Sequence, residues 1–381
     1  MNTPHLPSPP GGPADGTHGG THGDGLVLRD GSAACPHALV TGYPQARYVL
    51  DRPGLFPRTA EAGQPPGLRG ADGEAHARMR TAVEEALAGV DHHTLRRHVR
   101  AQAGQLLEPI AVRGIGDLMG EYADILPLRA LLTTLGTGDD TARHLESVWR
   151  AGTWPERRTA LVPALDAAVA ADRLAPGGGL LTRLRSALGR LGHDTGATAA
   201  HLVAETLATG AAATTAWTAQ TLLTLLHDPR TLRALVTGTR TTARLLEEVA
   251  ARQAPLARSG DHVTAGAVEL GGLTLPAGTR VQVDLRAVAS TSPGLGRAHD
   301  HSHLGWGAGA HRCPSPATAR LIAEAAVESV IDRLWQIVPV TGPADPHPGT
   351  DVVVPVHIGV TCRPAGRATP LPADRGTPVP G

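Results

Sequence analysis

The chain has 381 residues, with 35 Lys+Arg against 35 Asp+Glu, so no formal net charge remains at pH 7 and a broad basic surface for nucleic acid is excluded. Hydrophobic residues make up 41%, enough for a sizeable core, whereas 5 Trp, 3 Tyr and 1 Phe are too few for base-stacking platforms or an aromatic membrane belt. The three cysteines, Cys35, Cys313 and Cys362, are too scattered for a disulfide framework, and no apolar stretch with a basic start opens the chain, so a cytoplasmic protein is expected.

Residues 1–26 are Gly, Pro, Thr and His with a doubled Thr-His-Gly, and residues 363–381 are rich in Pro, Gly and Arg. Both compositions read as disordered tails flanking one domain at 27–362, with His18 and His22 as parts of a polar tail rather than a metal site. From about 75 to 255, apolar positions recur at helical spacing, with stops at Pro176-Gly177-Gly178-Gly179 and His227-Asp228-Pro229. Thr206 to His227 carries no formal charge, but its seven threonines and one glutamine favour a buried helix over a membrane span. Val263 to Val288 alternates apolar and polar residues around Gly271-Gly272 and Pro276-Ala277-Gly278, which predicts short β-hairpins. A last helix is predicted from about Pro316 to Trp335, burying Leu321, Ile322, Ala325, Ala326, Val330, Ile331 and Leu334 while Arg320, Glu324 and Glu328 face water. The fold class is therefore mainly α with small β-sheets.

The chemistry is densest at His303-Leu-Gly-Trp-Gly-Ala-Gly-Ala-His-Arg-Cys313-Pro-Ser-Pro. Gly305, Gly307 and Gly309 remove side chains where backbone can press against a flat ligand, and a thiol just before a helix start sits in a field that favours thiolate. Arg312 adds a positive charge, Ser315 can cap the following helix and Pro316 suits its first position. Upstream, His76 and Arg80 lie at i and i+4 on one helix face and can hold an anion.

Trp306-Gly-x-Gly-x-His311-x-Cys313 followed by Ala319-Arg320-Leu321 resembles the heme-binding loop of the cytochrome P450 family, with Trp306 where Phe is usual and Ser315 where Gly is usual. The resemblance spans about Ala38 to Pro339. It implies the family's fold, with a long central helix over the heme, and heme b with Cys313 as axial thiolate, which pushes electron density onto the iron. It also implies that Gly307, Gly309 and His311 help form the heme pocket, that His76 and Arg80 bind the propionates, and that His262 stands where a further propionate arginine is usual. Thr214 matches the threonine of the central helix that helps deliver protons to bound oxygen, while Ala213 replaces the acid beside it. In Glu247-Glu248-Val-Ala-Ala251-Arg252, the family's Glu-x-x-Arg counted from Glu248 ends on Ala251, and Arg252 is displaced by about 100 degrees of helix. The family's buried ion pair is therefore expected to be lost, leaving Glu248 to neutralise or rehydrate. The stretch from Phe56 to Glu74, which roofs the substrate pocket in relatives, is rich in Gly and Pro and implies an open pocket.

The implied function is a heme-dependent monooxygenase acting on a small or carrier-tethered specialised metabolite, fed with electrons from NAD(P)H through ferredoxin reductase and a ferredoxin docked near Arg312. Neither nucleic acid nor membrane is expected as a partner. Ala213 and Ala251 also suit a second reading, a catalytically degenerate homologue that assists a partner enzyme such as a glycosyltransferase. A third needs no heme: His299, Asp300, His301, His303, His311 and Cys313 offer nitrogen, oxygen and sulfur ligands for zinc or another transition metal.

Overall fold

The computed structural model describes residues 22–29, 37–59, 67–170, 179–192, 196–292, 303–340 and 352–364. Helices among these are α1 Tyr43–Leu50, α2 Gly73–Ala88, α3 His92–Arg113, α4 Leu126–Leu135, α5 Asp139–Ala151, α6 Trp154–Ala170, α7 Leu180–Arg190, α8 Gly196–His227, α9 Pro229–Val236, α10 Thr242–Arg252, α11 Leu285–Ser290 and α12 Pro316–Arg333. Strands are β1 His22–Gly23, β2 Leu26–Arg29, β3 His37–Val40, β4 Ile115–Asp117, β5 His262–Val263, β6 Val268–Leu270, β7 Leu273–Leu275, β8 Arg280–Val283, β9 Trp335–Pro339 and β10 Gly359–Arg363.

Four α-helix starts among the described residues follow a capping side chain, three of them as follows. Asp91 accepts from the His93 and Thr94 amides, Thr241 from the Arg244 amide, and Asp284 from the Arg286 and Ala287 amides. The Asp284 cap explains why residues 285–290 turn helical where the alternation suggested more hairpin. The rest of that reading holds: β6 and β7 form a hairpin across Gly271-Gly272, both at positive φ. Residues 22–26, placed in the tail by composition, are instead part of the β1–β2 hairpin, because Asp24-Gly25 is a tight-turn pair and Gly25 takes φ 62. Residues 1–21 and 365–381 lie outside the described residues.

The 32-residue α8 runs, at ~1.5 Å per residue, about 48 Å through the helical body and packs on α4, α6, α7, α10 and α12. Val99, Leu107 and Ile110 of α3, Leu207 and Trp217 of α8 and Ile322 and Val327 of α12 share one core. A second core lies under the five-stranded sheet, ordered β1-β2-β3-β8-β5 with β3 and β8 parallel, and gathers Leu26, Val40, Phe56, Val281 and Val283. A further sheet orders β4-β10-β9.

Helix α12 buries Ile322, Ala325, Ala326 and Val330 as expected but stops at Arg333, and Trp335 is 71% exposed in β9. Its polar face is only partly open to water. Glu328 pairs with Arg96 at 2.6 Å and Arg100 at 3.2 Å, and Arg320 pairs with Glu247, because α3 and α10 pack against that face. No helix among the described residues is long and apolar enough to cross a membrane.

Candidate active site

Residues 303–315 form a loop that ends on the start of α12. The Cys313 amide donates to the Trp306 carbonyl at 2.8 Å, and the Gly307 amide to Leu304 O at 2.9 Å, folding the loop back on itself. The three glycines divide their work. A Cβ on Gly305 would lie 2.9 Å from Ala250 O of α10, and one on Gly309 would lie 2.2 Å from Leu50 O of α1, so these two glycines let the loop seat against protein backbone. Gly307, at φ 70, would carry a Cβ without a clash, 3.5 Å from His311 O, so the left-handed backbone is what calls for glycine there, and it lines the cavity. Pro316 occupies the first turn of α12 as expected, but the Ser315 hydroxyl bonds Thr318 Oγ1 at 2.8 Å rather than capping the backbone.

Cys313 lies on the wall of a cavity of about 240 Å³, and Ala213, Thr214 and Trp217 of α8 line it as well. Burial pushes the Cys313 thiol above its ordinary value, and the Ser315 amide, Arg80 and Arg312 draw it only part of the way back. The thiolate-favouring field inferred from the helix start is present, but desolvation of the sulfur outweighs it; a coordinated cation is what converts such a thiol to thiolate. Trp306, the aromatic departure in the motif, stands edge-on to Trp217 at 4.7 Å between centroids, so it ties the cysteine loop to α8.

One side of the cavity is crowded with basic groups. Arg58, Arg69, His76, Arg80, His311 and Arg312 all line it. Burial, then the neighbouring Arg69 charge, lowers the Arg58 guanidinium to about 10, and its Nε has no hydrogen-bond partner. Burial, then His311 and Arg80, lowers His76 to about 4. Arg80 is engaged, donating to Ala310 O at 2.8 Å and Arg312 O at 2.5 Å, so it braces the cysteine loop while reaching the cavity. His311 faces acceptors on both ring nitrogens, Leu68 O at 3.1 Å and Asp72 Oδ1 at 2.9 Å, although burial and then Arg58 lower its affinity for the second proton.

His262 is placed differently from the expectation. It is 3% exposed in β5, its Nδ1–H donates to Phe56 O at 2.8 Å, and it is absent from the cavity wall. That leaves Nε2 as a lone pair, and burial lowers the ring to about 3, so an anion would meet no proton there. Arg58, bridged to His262 across the sheet edge, takes the cavity position instead. Sequence reasoning missed Arg58 because nothing within its own segment marks it.

The ion pair read as lost is replaced rather than absent. Glu247, not Glu248, turns to the cysteine loop, with Oε2 accepting from His303 Nε2–H at 3.1 Å and Oε1 held by Arg320 of α12. Those two donors hold its carboxyl down at about 2 in spite of burial. Glu248 pairs with Arg240 and Arg244 and is not left alone. On α8 the acid missing at 213 is likewise not made good nearby: Glu205 lies more than two turns earlier, 8% exposed, with its carboxylate on the Leu68 and Arg69 amides. Of the zinc reading, His299, Asp300 and His301 lie outside the described residues, among which no group of three or more His, Cys, Asp or Glu is placed to hold a metal.

No family profile matches the chain. Cytochrome P450 107B1 of Saccharopolyspora erythraea is 28% identical over 311 residues, covering 77% of this chain and 75% of that protein. A solved cytochrome P450-like monooxygenase involved in microbial secondary metabolism superposes with a TM-score of 0.76 at 21% identity, over 85% of this chain and 92% of that one. The cytochrome P450 BJ-1 homolog of Sinorhizobium fredii is 30% identical over 332 residues, 77% of this chain and 81% of that protein. With that likeness along most of both sequences, and the same fold, the chain belongs to the cytochrome P450 family of heme-dependent monooxygenases.

Proposed function

We propose that the chain binds heme b with Cys313 as the axial ligand and oxidises a small or carrier-tethered specialised metabolite, with electrons reaching it from NAD(P)H through ferredoxin reductase and ferredoxin. The observation that carries the reading is the crowd of basic groups on the cavity wall. Arg58 is buried, repelled by Arg69 with Asp72 and Asp261 offsetting this only in part, and short of a partner at Nε, which suits a site completed by an anion. A planar cofactor with two carboxylates meets that need while a soft sulfur donor at Cys313 suits iron. Arg58, His76 and Arg80 would hold the carboxylates, Gly307 would let the loop lie against the ring, and His311 would set the loop edge through Leu68 and Asp72.

Heme held there would supply redox chemistry at iron, with the Cys313 thiolate favouring O–O cleavage. On α8, Thr214 Oγ1 can give or accept one hydrogen bond at the cavity wall, whereas the Ala213 methyl offers no proton. Proton supply on this side falls to hydroxyls and water, which makes slow or poorly coupled turnover the expected behaviour. Arg312 is exposed beside Cys313 and is the contact assigned to the ferredoxin. The specialised-metabolite assignment draws on the structural likeness to the secondary-metabolism monooxygenase.

The test is an absorbance spectrum of protein reconstituted with heme and then reduced under carbon monoxide. The long-wavelength Soret band of a thiolate-ligated ferrous carbonyl is expected, and it should vanish in Cys313→Ser. A protein that takes up no heme overturns the reading and moves attention to the auxiliary role beside a partner enzyme.

A further inference from the structure

Residues 67–72 cross one side of the cavity between its two walls. At the α8 end, the Glu205 carboxylate accepts the Leu68 amide at 2.8 Å and the Arg69 amide at 3.1 Å. At the other, Leu68 O accepts from His311 Nδ1–H at 3.1 Å, and Asp72 meets His311 Nε2 at 2.9 Å and also accepts the Arg58 amide. Leu68, Arg69 and Glu205 all face the cavity. The segment is thus pinned to the cysteine loop through the two ring nitrogens of His311, and to α8 through one carboxylate from a position 137 residues away.

The Glu205 end is shaped for this contact. Glu205 is more than nine-tenths buried, and its two carboxylate oxygens meet two main-chain donors, a charge-assisted pairing. Gly67 is buried against it: a Cβ there would stand 2.3 Å from Glu205 Oε2. Gly67 has no positive φ, so its lack of a side chain serves the approach of the carboxylate and not the path of the backbone.

We propose that Glu205 is a latch that holds residues 67–72 as a wall of the cavity, and that ligands enter when its two hydrogen bonds break while the His311–Asp72 end stays seated. Glu205 is a positioning residue, acting through Leu68 and Arg69, and it sets what size of molecule reaches the site. This rests on the proposed function only for the identity of the ligand; the latch itself is a property of the chain.

Two variants release it by different routes. Glu205→Gln keeps the size but brings one acceptor to two donors and turns an NH2 group toward the second amide. Gly67→Ala leaves Glu205 in place, yet its methyl group must displace the carboxylate, which as the end of a flexible side chain can move without unfolding the protein. Amide hydrogen exchange on the purified protein should show Leu68 and Arg69 exchanging at least tenfold faster in both variants, with α3 and α12 unchanged. In heme-loaded protein, 4-phenylimidazole should bind several-fold faster to both variants, whereas the smaller imidazole should change little. Equal exchange at Leu68 and Arg69 in wild type and both variants overturns the latch. A chain that takes up no heme but shows the exchange difference overturns the proposed function and leaves the latch standing.

Discussion

The cysteine wall and the α8 wall of the cavity differ in how their polar groups are satisfied. On the cysteine wall, the amides of Gly307, Arg312 and Cys313 are bonded within the loop, Arg80 takes two of its carbonyls, and Gly305 and Gly309 let it seat on α10 and α1. On the α8 wall, buried hydroxyls at Thr206 and Thr209 have no partner, and Ala213 brings no polar atom at all. One wall is thus held by backbone geometry, where a substitution acts on the fold. The other has spare hydrogen-bonding capacity, where a substitution acts on what the cavity does.

The largest effect is expected at Gly309→Val. The new side chain meets Leu50 O inside contact distance and a backbone at φ 61, so a loss of about 4 kcal/mol is expected, with failure to retain heme. Urea unfolding and the carbonyl spectrum check it, and an unchanged midpoint would sink the view that backbone contact holds the loop.

Next is Glu247→Gln, which removes the anchor of His303 and Arg320. The folded carboxyl sits at about 2, below its ordinary 4.5, so its contribution is present in full above pH 4.5 and is lost as pH falls toward 2. A cost of up to about 3 kcal/mol at neutral pH is expected. The gap between variant and wild type should close on acidification; a gap independent of pH across that window would count against the network.

On the α8 wall, Ala213→Asp should leave the unfolding midpoint nearly unchanged while raising ferredoxin-driven product per NAD(P)H several-fold, because it adds a proton donor beside Thr214. No gain in coupling would show that proton supply is not what Ala213 limits. The smallest effect belongs to Thr215→Val. It removes a fully buried hydroxyl without a partner, so stability should stay within about 1 kcal/mol or rise, where the same change at a bonded threonine such as Thr221 should cost stability.

The cysteine loop was legible because its parts are contiguous: three glycines, a histidine, a thiol and a helix start within a dozen residues state their geometry locally. The helical body was legible from its period and the β6–β7 hairpin from its glycine pair. The expected tail hid the β1–β2 hairpin because overall composition masked a single Asp24-Gly25 turn. His262 was chosen by its place along the chain, and only the bridge to Arg58 shows which of the two faces the cavity.

The sequence by itself determined most of the helices and the β6–β7 hairpin, the motif around Cys313 that resembles a heme loop, and the presence of Thr214 beside an alanine, since each depends on neighbours along the chain. The tertiary structure decided the pairing of Glu247 with His303 and Arg320, the turning of Arg58 toward the cavity, and the hold of Glu205 on Leu68 and Arg69. Each of those joins residues about 55 to more than 135 positions apart or rests on which face of a strand or helix is buried, and a charged side chain finds its partner only once packing has fixed how the elements cross.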